Sequence, residues 1–312
     1  MIMDKEISLA IVGLGKIARD QHVPAIAATP GIALAAVASR NAALDGVAHF
    51  ATLEELLAGA PEIEAVALCT PPQVRRKQAA AALAAGKHVL LEKPPGATVA
   101  ELAPLIFAAN EGERTLFATW HSRFAPAVEP ARTFLAARTV RSVTVEWKED
   151  VRIWHPGQHW IWEPGGLGVF DPGINALSIL THILPRPFFL TSAELAFPEN
   201  RAAPIAADLV FEDTAGTPIN AAFDFRQTGP QTWDIRIDTD AGELVLSSGG
   251  ARLAFDGRPL VEEKEAEYPA IYRRFVELIA AGASDVDATP LQHVADAFML
   301  GQRRIVEPFV EA

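Results

Sequence analysis

Cysteine is almost missing from this chain: its 312 residues hold one, Cys69. An intrachain disulfide is therefore excluded, and a reducing compartment, the cytoplasm, is the expected location. Long apolar runs are missing too. None approaches the roughly 20 residues that cross a bilayer, and Met1-Ile2-Met3-Asp4-Lys5-Glu6 lacks the basic start and apolar centre of a signal peptide. Positive charge is scarce, with 27 lysines and arginines against 39 aspartates and glutamates and a net charge of −12. An acidic surface repels nucleic acid and anionic lipid, which removes both as expected partners. Internal repeats, low-complexity tracts and long linkers are lacking as well.

What is present begins with residues 7–12, Ile-Ser-Leu-Ala-Ile-Val, running into Gly13-Leu14-Gly15-Lys16-Ile17-Ala18. An apolar strand opening into a Gly-x-Gly-x-x-Ala turn sets a dinucleotide's pyrophosphate on a helix N-terminus. Alone the pattern is weak, because glycine pairs occur in many strand-to-helix turns. A second apolar strand, His88-Val89-Leu90-Leu91, ends in Glu92-Lys93-Pro94 and strengthens it. The two together point to a nicotinamide oxidoreductase with a lysine at the reacting carbon.

Strand and helix signals alternate along the first 120 or so residues. Ile32 to Ala38 reads as a strand. Thr52-x-x-Glu55 is a capping box ahead of a leucine-rich helix. Ala65 to Cys69 is a short buried strand, Gln73 to Ala85 a helix stopped by Gly86, and Thr115 to Ala118 a strand following the helix capped at Thr98-x-x-Glu101. Such alternation predicts α/β structure, a doubly wound parallel sheet over residues 1–122.

The pattern then changes. Val143, Val145 and Trp147 alternate with polar residues, as do Ile219, Ala221, Phe223 and Phe225, then Trp233, Ile235 and Ile237. Period-two alternation predicts strands with one covered face, hence an open, largely antiparallel sheet in an α+β domain over residues 123–312. Gly229-Pro230 supplies a turn between two of these strands. Helices are expected from Pro172 to Leu184, over Tyr268 to Leu278, and from Thr289-Pro290 to about Arg304. The open sheet face suits a homodimer.

These motifs resemble those of the Gfo/Idh/MocA oxidoreductase family over nearly the whole chain. The resemblance is carried by the Gly13 to Ala18 turn, Thr70-Pro71-Pro72, Gly86-Lys87-His88-Val89, Glu92-Lys93-Pro94, His121-Ser122-Arg123-Phe124 and Asp171-Pro172-Gly173-Ile174-Asn175. Three strings, residues 17–22, Trp120-His121-Ser122-Arg123 and residues 160–170, are similar to bacterial aldose 1-dehydrogenases acting on L-arabinose or D-galactose. The resemblance implies NAD(P)-dependent oxidation of a cyclic aldose at C1 to the aldonolactone. A cyclitol or another ring carbon as substrate is the alternative, as is a sugar sensor that binds dinucleotide without turnover. It also implies cofactor contacts from Gly13, Gly15, Lys16, Ile17, Thr70, Pro71, Glu92 and Lys93. Arg75, where the family commonly has histidine, reads as structural. Many members have histidine where this chain has Asn175, and an amide takes no proton at neutral pH. The proton acceptor is therefore Lys93, Asp171 or solvent.

The expected catalytic residues are Lys93, Asp171 and Asn175. Lys93 has the physical rationale of a cation beside the anomeric hydroxyl, at the sheet edge where ligands bind. Asp171 has a structural rival role as a helix N-cap with Pro172 at the first helical position. Lys93, His121, Trp154, Asp171, Asn175 and Trp233 are the expected sugar ligands; a flat indole suits a sugar's C–H face. His155 and His159 lack a convincing set of metal-ligand partners, and no metal is expected. The second strand ends Ala38-Ser39-Arg40-Asn41, without the acid that holds a ribose 2′-hydroxyl in NAD-specific sheets. Ser39 and Arg40 suit a 2′-phosphate, so NADP is expected to be preferred, with NAD also usable.

Overall fold

The computed structural model describes residues 6–263 and 266–311. The opening residues read above for a signal peptide lie, up to Lys5, outside the described residues. No helix among the described residues is long and apolar enough to cross a membrane. The chain groups into two compact units: one running up to His121 and taking in Tyr268–Ala288, the other built of Ser122–Glu267 and the residues from Thr289 on.

The first unit is a six-stranded parallel sheet. Its strands are β1 (Ile7–Val12), β2 (Ile32–Ala38), β3 (Ala48–Phe50), β4 (Ala65–Leu68), β5 (His88–Leu91) and β6 (Leu116–Ala118), in the order β3-β2-β1-β4-β5-β6. Every residue of β4 is buried, as a strand covered on both faces requires. Helices α1 (Val23–Ala27), α2 (Leu53–Gly59), α3 (Pro72–Ala84) and α4 (Leu102–Glu111) supply the crossovers. Thr52 caps α2 as its spacing predicts, its hydroxyl accepting from Glu55 N at 3.2 Å. The strand order reverses at β1 and β4, the position beyond whose carboxyl ends such sheets bind ligands. Before α1 the backbone makes one widened π turn, Ala18–His22. Pro24 accounts for it: a regular turn would drive its ring into the carbonyl of Asp20. The widened turn sits where His22 is fully buried.

The second unit is a nine-stranded mixed sheet. It comprises β7 (Val140–Lys148), β8 (Phe188–Pro198), β9 (Ala206–Asp213), β10 (Pro218–Asp224), β11 (Thr232–Thr239), β12 (Gly242–Ser247), β13 (Arg252–Phe255), β14 (Arg258–Glu262) and β15 (Gln302–Val306). Their order is β14-β13-β12-β11-β7-β10-β9-β8-β15. Among the described residues of this sheet, the β7–β10 and β8–β15 pairings alone are parallel. The inward residues are the alternating ones: Val143, Val145 and Trp147, Ile219, Ala221 and Phe223, Ile235 and Ile237. The Gly229-Pro230 turn links β10 to β11, which flank β7 on either side. Helices α5 (Val128–Leu135), α6 (Val151–Trp154), α7 (Phe170–Ile183), α8 (Glu267–Ala281) and α9 (Thr289–Leu300) complete the chain, α8 belonging to the first unit.

Two expectations are corrected, and one strand is added. The segment 268–288 belongs with the first unit, not inside an uninterrupted 123–312, because Tyr268, Ile271, Tyr272, Phe275 and Leu278 bury one stripe of α8 there. Phe275 stacks on Phe117 at 6.2 Å. Helix α9 ends at Leu300 rather than near Arg304. Gly301 N still bonds to Ala297 O, but the following residues extend as β15 beside β8. The added strand, β3, carries no alternation in the sequence; it is three residues long and, among the described residues, pairs with β2 alone.

Candidate active site

In the first unit, the two glycines of the turn do different work. Gly13 has φ +91°, and a Cβ there would lie 2.8 Å from Thr70 Cγ2 and 3.0 Å from Thr70 N. Close approach of the β4–α3 turn thus demands it. Gly15 has no such demand, because a Cβ there would meet nothing within 4 Å. The missing side chain leaves space at the start of a helix, where backbone N–H groups favour a pyrophosphate. That space fits the expected dinucleotide. Lys16 is paired with Asp20, and Ile17 is 41% exposed beside it. At the end of β2, Ser39 is held by its backbone, N to Phe50 O at 2.9 Å and O to His49 Nε2 at 2.8 Å. Its hydroxyl and the exposed Arg40 guanidinium have no protein partner among the described residues.

Glu92 is the hub of this unit. It is buried, and its Oε1 lies 3.0 Å from His22 Nε2 and accepts from Tyr268 OH at 2.9 Å. Its Oε2 accepts the Lys93 backbone N–H at 2.8 Å, fixing the chain beneath the half-buried Lys93 side chain. His22 Nδ1 meets Tyr272 OH at 2.6 Å. Arg75, also buried, donates to the carbonyls of Thr70, Glu92 and Pro94, tying two strand ends together; the structural role expected for it follows. Burial opposes ionisation of Glu92, but the hydrogen bond and charge of His22, with His121 and Arg75, outweigh it and hold the carboxyl down at about 2. Burial likewise opposes charge on His22, and Cys69, Tyr272 and Glu92 together raise it well above its ordinary value. Burial pushes the Tyr272 phenol up. His121 lies half-buried with its ring stacked on Tyr268 at 5.7 Å.

In the second unit, a cluster forms where β7 ends. The inward register of Val143, Val145 and Trp147 continues to Glu149, which is 2% exposed. Asp150 then caps the short α6, accepting from Arg152 N at 3.0 Å, and the turn brings Trp154 and His155 back over the strand end. Trp233 of β11 lies 4.8 Å from Trp154 at 57° and 6.1 Å from Trp147, nearly parallel. Its indole N–H donates to Glu149 Oε2 at 2.9 Å, while His155 Nε2 sits 3.0 Å from Glu149 Oε1. On the other side, His155 Nδ1 faces Asp171 Oδ2 at 3.6 Å.

Asp171 is not the N-cap of its helix. Helix α7 begins at Phe170 with Val169 in the cap position and no side-chain cap bond, so the Asp171 carboxylate turns towards His155 instead. Gly173 lets the helix close on the sheet, since a Cβ there would lie 2.5 Å from Phe223 Cδ2. Asn175 follows four residues after Asp171, on the same helical face. Its side-chain amide has no protein hydrogen bond among the described residues.

The structure therefore joins Glu92 to Lys93, and joins Trp154, Trp233 and Asp171 through Glu149, which the sequence analysis left out, and His155, which it weighed only as a metal ligand. It adds His22, Tyr268 and Tyr272 around Glu92. Glu149 did carry a signal: a carboxylate on the inward register of an apolar strand. Among the described residues no set of three His, Cys, Asp or Glu side chains converges as metal ligands do.

Comparison with known proteins adds the following. Residues 7–119 match the model of an oxidoreductase family, NAD-binding Rossmann fold. A galactose 1-dehydrogenase of Pseudomonas fluorescens is 49% identical over 98% of this chain and 99% of its own. The crystal structure of a D-galactose-1-dehydrogenase protein from Rhizobium etli superposes with a TM-score of 0.94 at 61% identity, covering 98% of both chains. A 3-ketoreductase from Actinomadura kijaniata, solved with NADP and TDP-benzene, shares the fold at TM-score 0.84 and 18% identity, over 97% of this chain and 100% of its own.

Proposed function

From membership of the Gfo/Idh/MocA oxidoreductase family, to which this chain belongs, we propose that the protein oxidises a cyclic aldose of the galactose or arabinose type at C1 to the aldonolactone, using NADP in preference to NAD. The observation that carries the reading is the second unit's cluster. An indole corner, Trp154 against Trp233, stands in the same cluster as a buried carboxylate, Asp171. Apolar faces next to buried acceptors are what a sugar ring presents in complement: a C–H face ringed by hydroxyls.

A nicotinamide dinucleotide, when bound, takes up the C1 hydrogen with its electron pair. The chain's own task is the 1-hydroxyl, which must lose its proton as the C–O bond becomes double. Lys93, fixed at the strand tip by Glu92, holds that oxygen and offsets its developing charge. Asp171 accepts the proton. Asn175 orients the ring by neutral hydrogen bonds, with His121, Trp154 and Trp233 as further sugar contacts. Gly13, Gly15, Lys16, Ile17, Thr70 and Pro71 hold the dinucleotide's phosphates and nicotinamide side. Ser39 and Arg40 take its 2′-phosphate.

Incubating the purified protein with D-galactose, L-arabinose and a panel of other aldoses and cyclitols tests this reading. Appearance of reduced nicotinamide together with aldonolactone, detected by NMR before hydrolysis, is expected with galactose or arabinose. Turnover of a cyclitol alone, or dinucleotide binding with no turnover of any sugar, overturns it. The cofactor preference has its own test. Arg40→Ala is expected to raise KM for NADP on the order of tenfold, as the loss of one charge-assisted contact implies, and to leave KM for NAD nearly unchanged. Ser39→Asp should move preference towards NAD by repelling the 2′-phosphate. A wild-type protein that strongly prefers NAD, with Arg40→Ala indifferent to NADP, would sink the assignment.

A further inference from the structure

Glu149 and His155 lie outside the set of residues assigned so far, yet their geometry is specific. His155 is a largely buried imidazole with a different partner on each nitrogen. Its Nε2 faces Glu149 Oε1 at 3.0 Å. A carboxylate only accepts, so Nε2 carries the ring proton. Glu149 cannot swing away to release it, because its other oxygen accepts the Trp233 indole N–H at 2.9 Å and the side chain is 3% exposed. Phe225 closes the ring's flank at 5.5 Å. In the neutral ring the lone pair therefore falls on Nδ1, which is buried without a hydrogen bond and faces Asp171 Oδ2 at 3.6 Å.

Resting on the aldose reading above, we infer that Glu149 and His155 form a proton relay behind Asp171, taking on the proton that leaves the sugar. The 1-hydroxyl O–H bond breaks and an Asp171 O–H bond forms. That bond breaks in turn as the proton moves to His155 Nδ1, where the new imidazolium faces the Glu149 carboxylate, and the Asp171 carboxylate is restored. Nδ1 is covered and Nε2 faces Glu149, so the proton stays on His155, an imidazolium between the two carboxylates, until the lactone leaves, and then returns through Asp171 to the water that replaces the product. Asn175, four residues after Asp171, has no basic nitrogen and cannot serve in this place. Glu149 never touches the sugar in this scheme. It acts through His155 by fixing the tautomer, as second partners of histidines do in acid–base sites.

Two measurements test the relay. The first needs no cofactor or sugar: nitrogen-15 NMR of the histidines in the intact protein, with His155 assigned by its loss in His155→Gln. The expected result is a protonated Nε2 and a bare Nδ1 in the wild type. In Glu149→Gln the amide keeps its carbonyl for the Trp233 indole and turns its NH2 to His155 Nε2, moving the proton to Nδ1. The second is turnover. His155→Gln retains a donor for Glu149 and should lower kcat on the order of 10²-fold, the usual worth of a positioned acid–base group, with KM for galactose little changed. His155→Ala should regain turnover on addition of free imidazole. A wild-type His155 carrying its proton on Nδ1, or an active wild type whose His155→Gln variant keeps its kcat, overturns the relay. A wild type inactive on every aldose overturns the functional reading instead, so the two failures are told apart.

Discussion

Replacing Lys93 with alanine is expected to lower the turnover of galactose or arabinose on the order of 10²-fold or more, the scale set by deleting one preorganised electrostatic group from an oxyanion site. Lys93 projects from the end of β5, and its backbone is not at liberty: Glu92 Oε2 accepts its N–H at 2.8 Å, and Arg75 grips the carbonyls of Glu92 and Pro94 on either side. A cation held this way needs little reorganisation as charge develops on the sugar's 1-oxygen. Lysine to alanine removes the charge and leaves the frame, so affinity for NADP should hold within about twofold. Steady-state kinetics together with dinucleotide titration by fluorescence check both halves. Near-normal turnover in Lys93→Ala would end the assignment. Asp171→Ala should also damage kcat severely, whereas Asn175→Ala should act mainly through KM for the sugar.

The second large effect is on stability. Glu92→Gln is expected to cost on the order of 3 kcal/mol, because it strips a buried histidine of its counter-charge. Linkage gives the same scale, since the carboxyl falls from its ordinary 4.5 to about 2 on folding. The transition midpoint of the first unit should drop on the order of 10 °C. The pH dependence follows from the signs. The Glu92 contribution is present above 4.5 and is lost as pH falls from there through about 2. The His22 contribution is present below its ordinary 6.5 and is lost as pH rises through its raised value. Both hold between 4.5 and 6.5, and there the gap between wild type and Glu92→Gln should be widest. Thermal denaturation followed across a pH series measures it. A gap of constant size from acid to alkaline pH would contradict the ion-pair account.

Much of this was legible in the chain itself. Ile32–Ala38 is bounded by a glycine and by Ser39-Arg40, and its ends were readable to the residue. The alternation of Val143, Val145 and Trp147 gave the covered face of β7, though its last inward member, Glu149, was not taken as part of that series. Features made by distant closure left no such mark. Tyr268 and Tyr272 meet Glu92 and His22 across 176 and 250 residues of sequence, and helical spacing alone shows only that they are buried. Asp-Pro-Gly looked like a helix cap because those residues begin helices well; the helix instead starts two residues earlier, and the aspartate is left to face His155. Arg303 and Arg304 continued a polar helix pattern in the sequence, while the parallel pairing with β8 that makes them a strand depends on a neighbour more than 100 residues away in the chain.

The return of the chain through α8 has a practical consequence for anyone wishing to recombine such proteins. The first unit is not a cassette that a single cut can lift out. A fragment stopping near residue 122 would carry His22 and Glu92 into a buried setting and leave behind both tyrosine hydroxyls that complete their hydrogen bonds. Exchanging the second unit for that of a relative, to borrow its sugar preference, therefore requires joins at 121/122, 267/268 and 288/289. A chimera spliced at the first of these alone would bring in a foreign α8, and its solubility would depend on whether the donor happens to place hydroxyls at the same two positions.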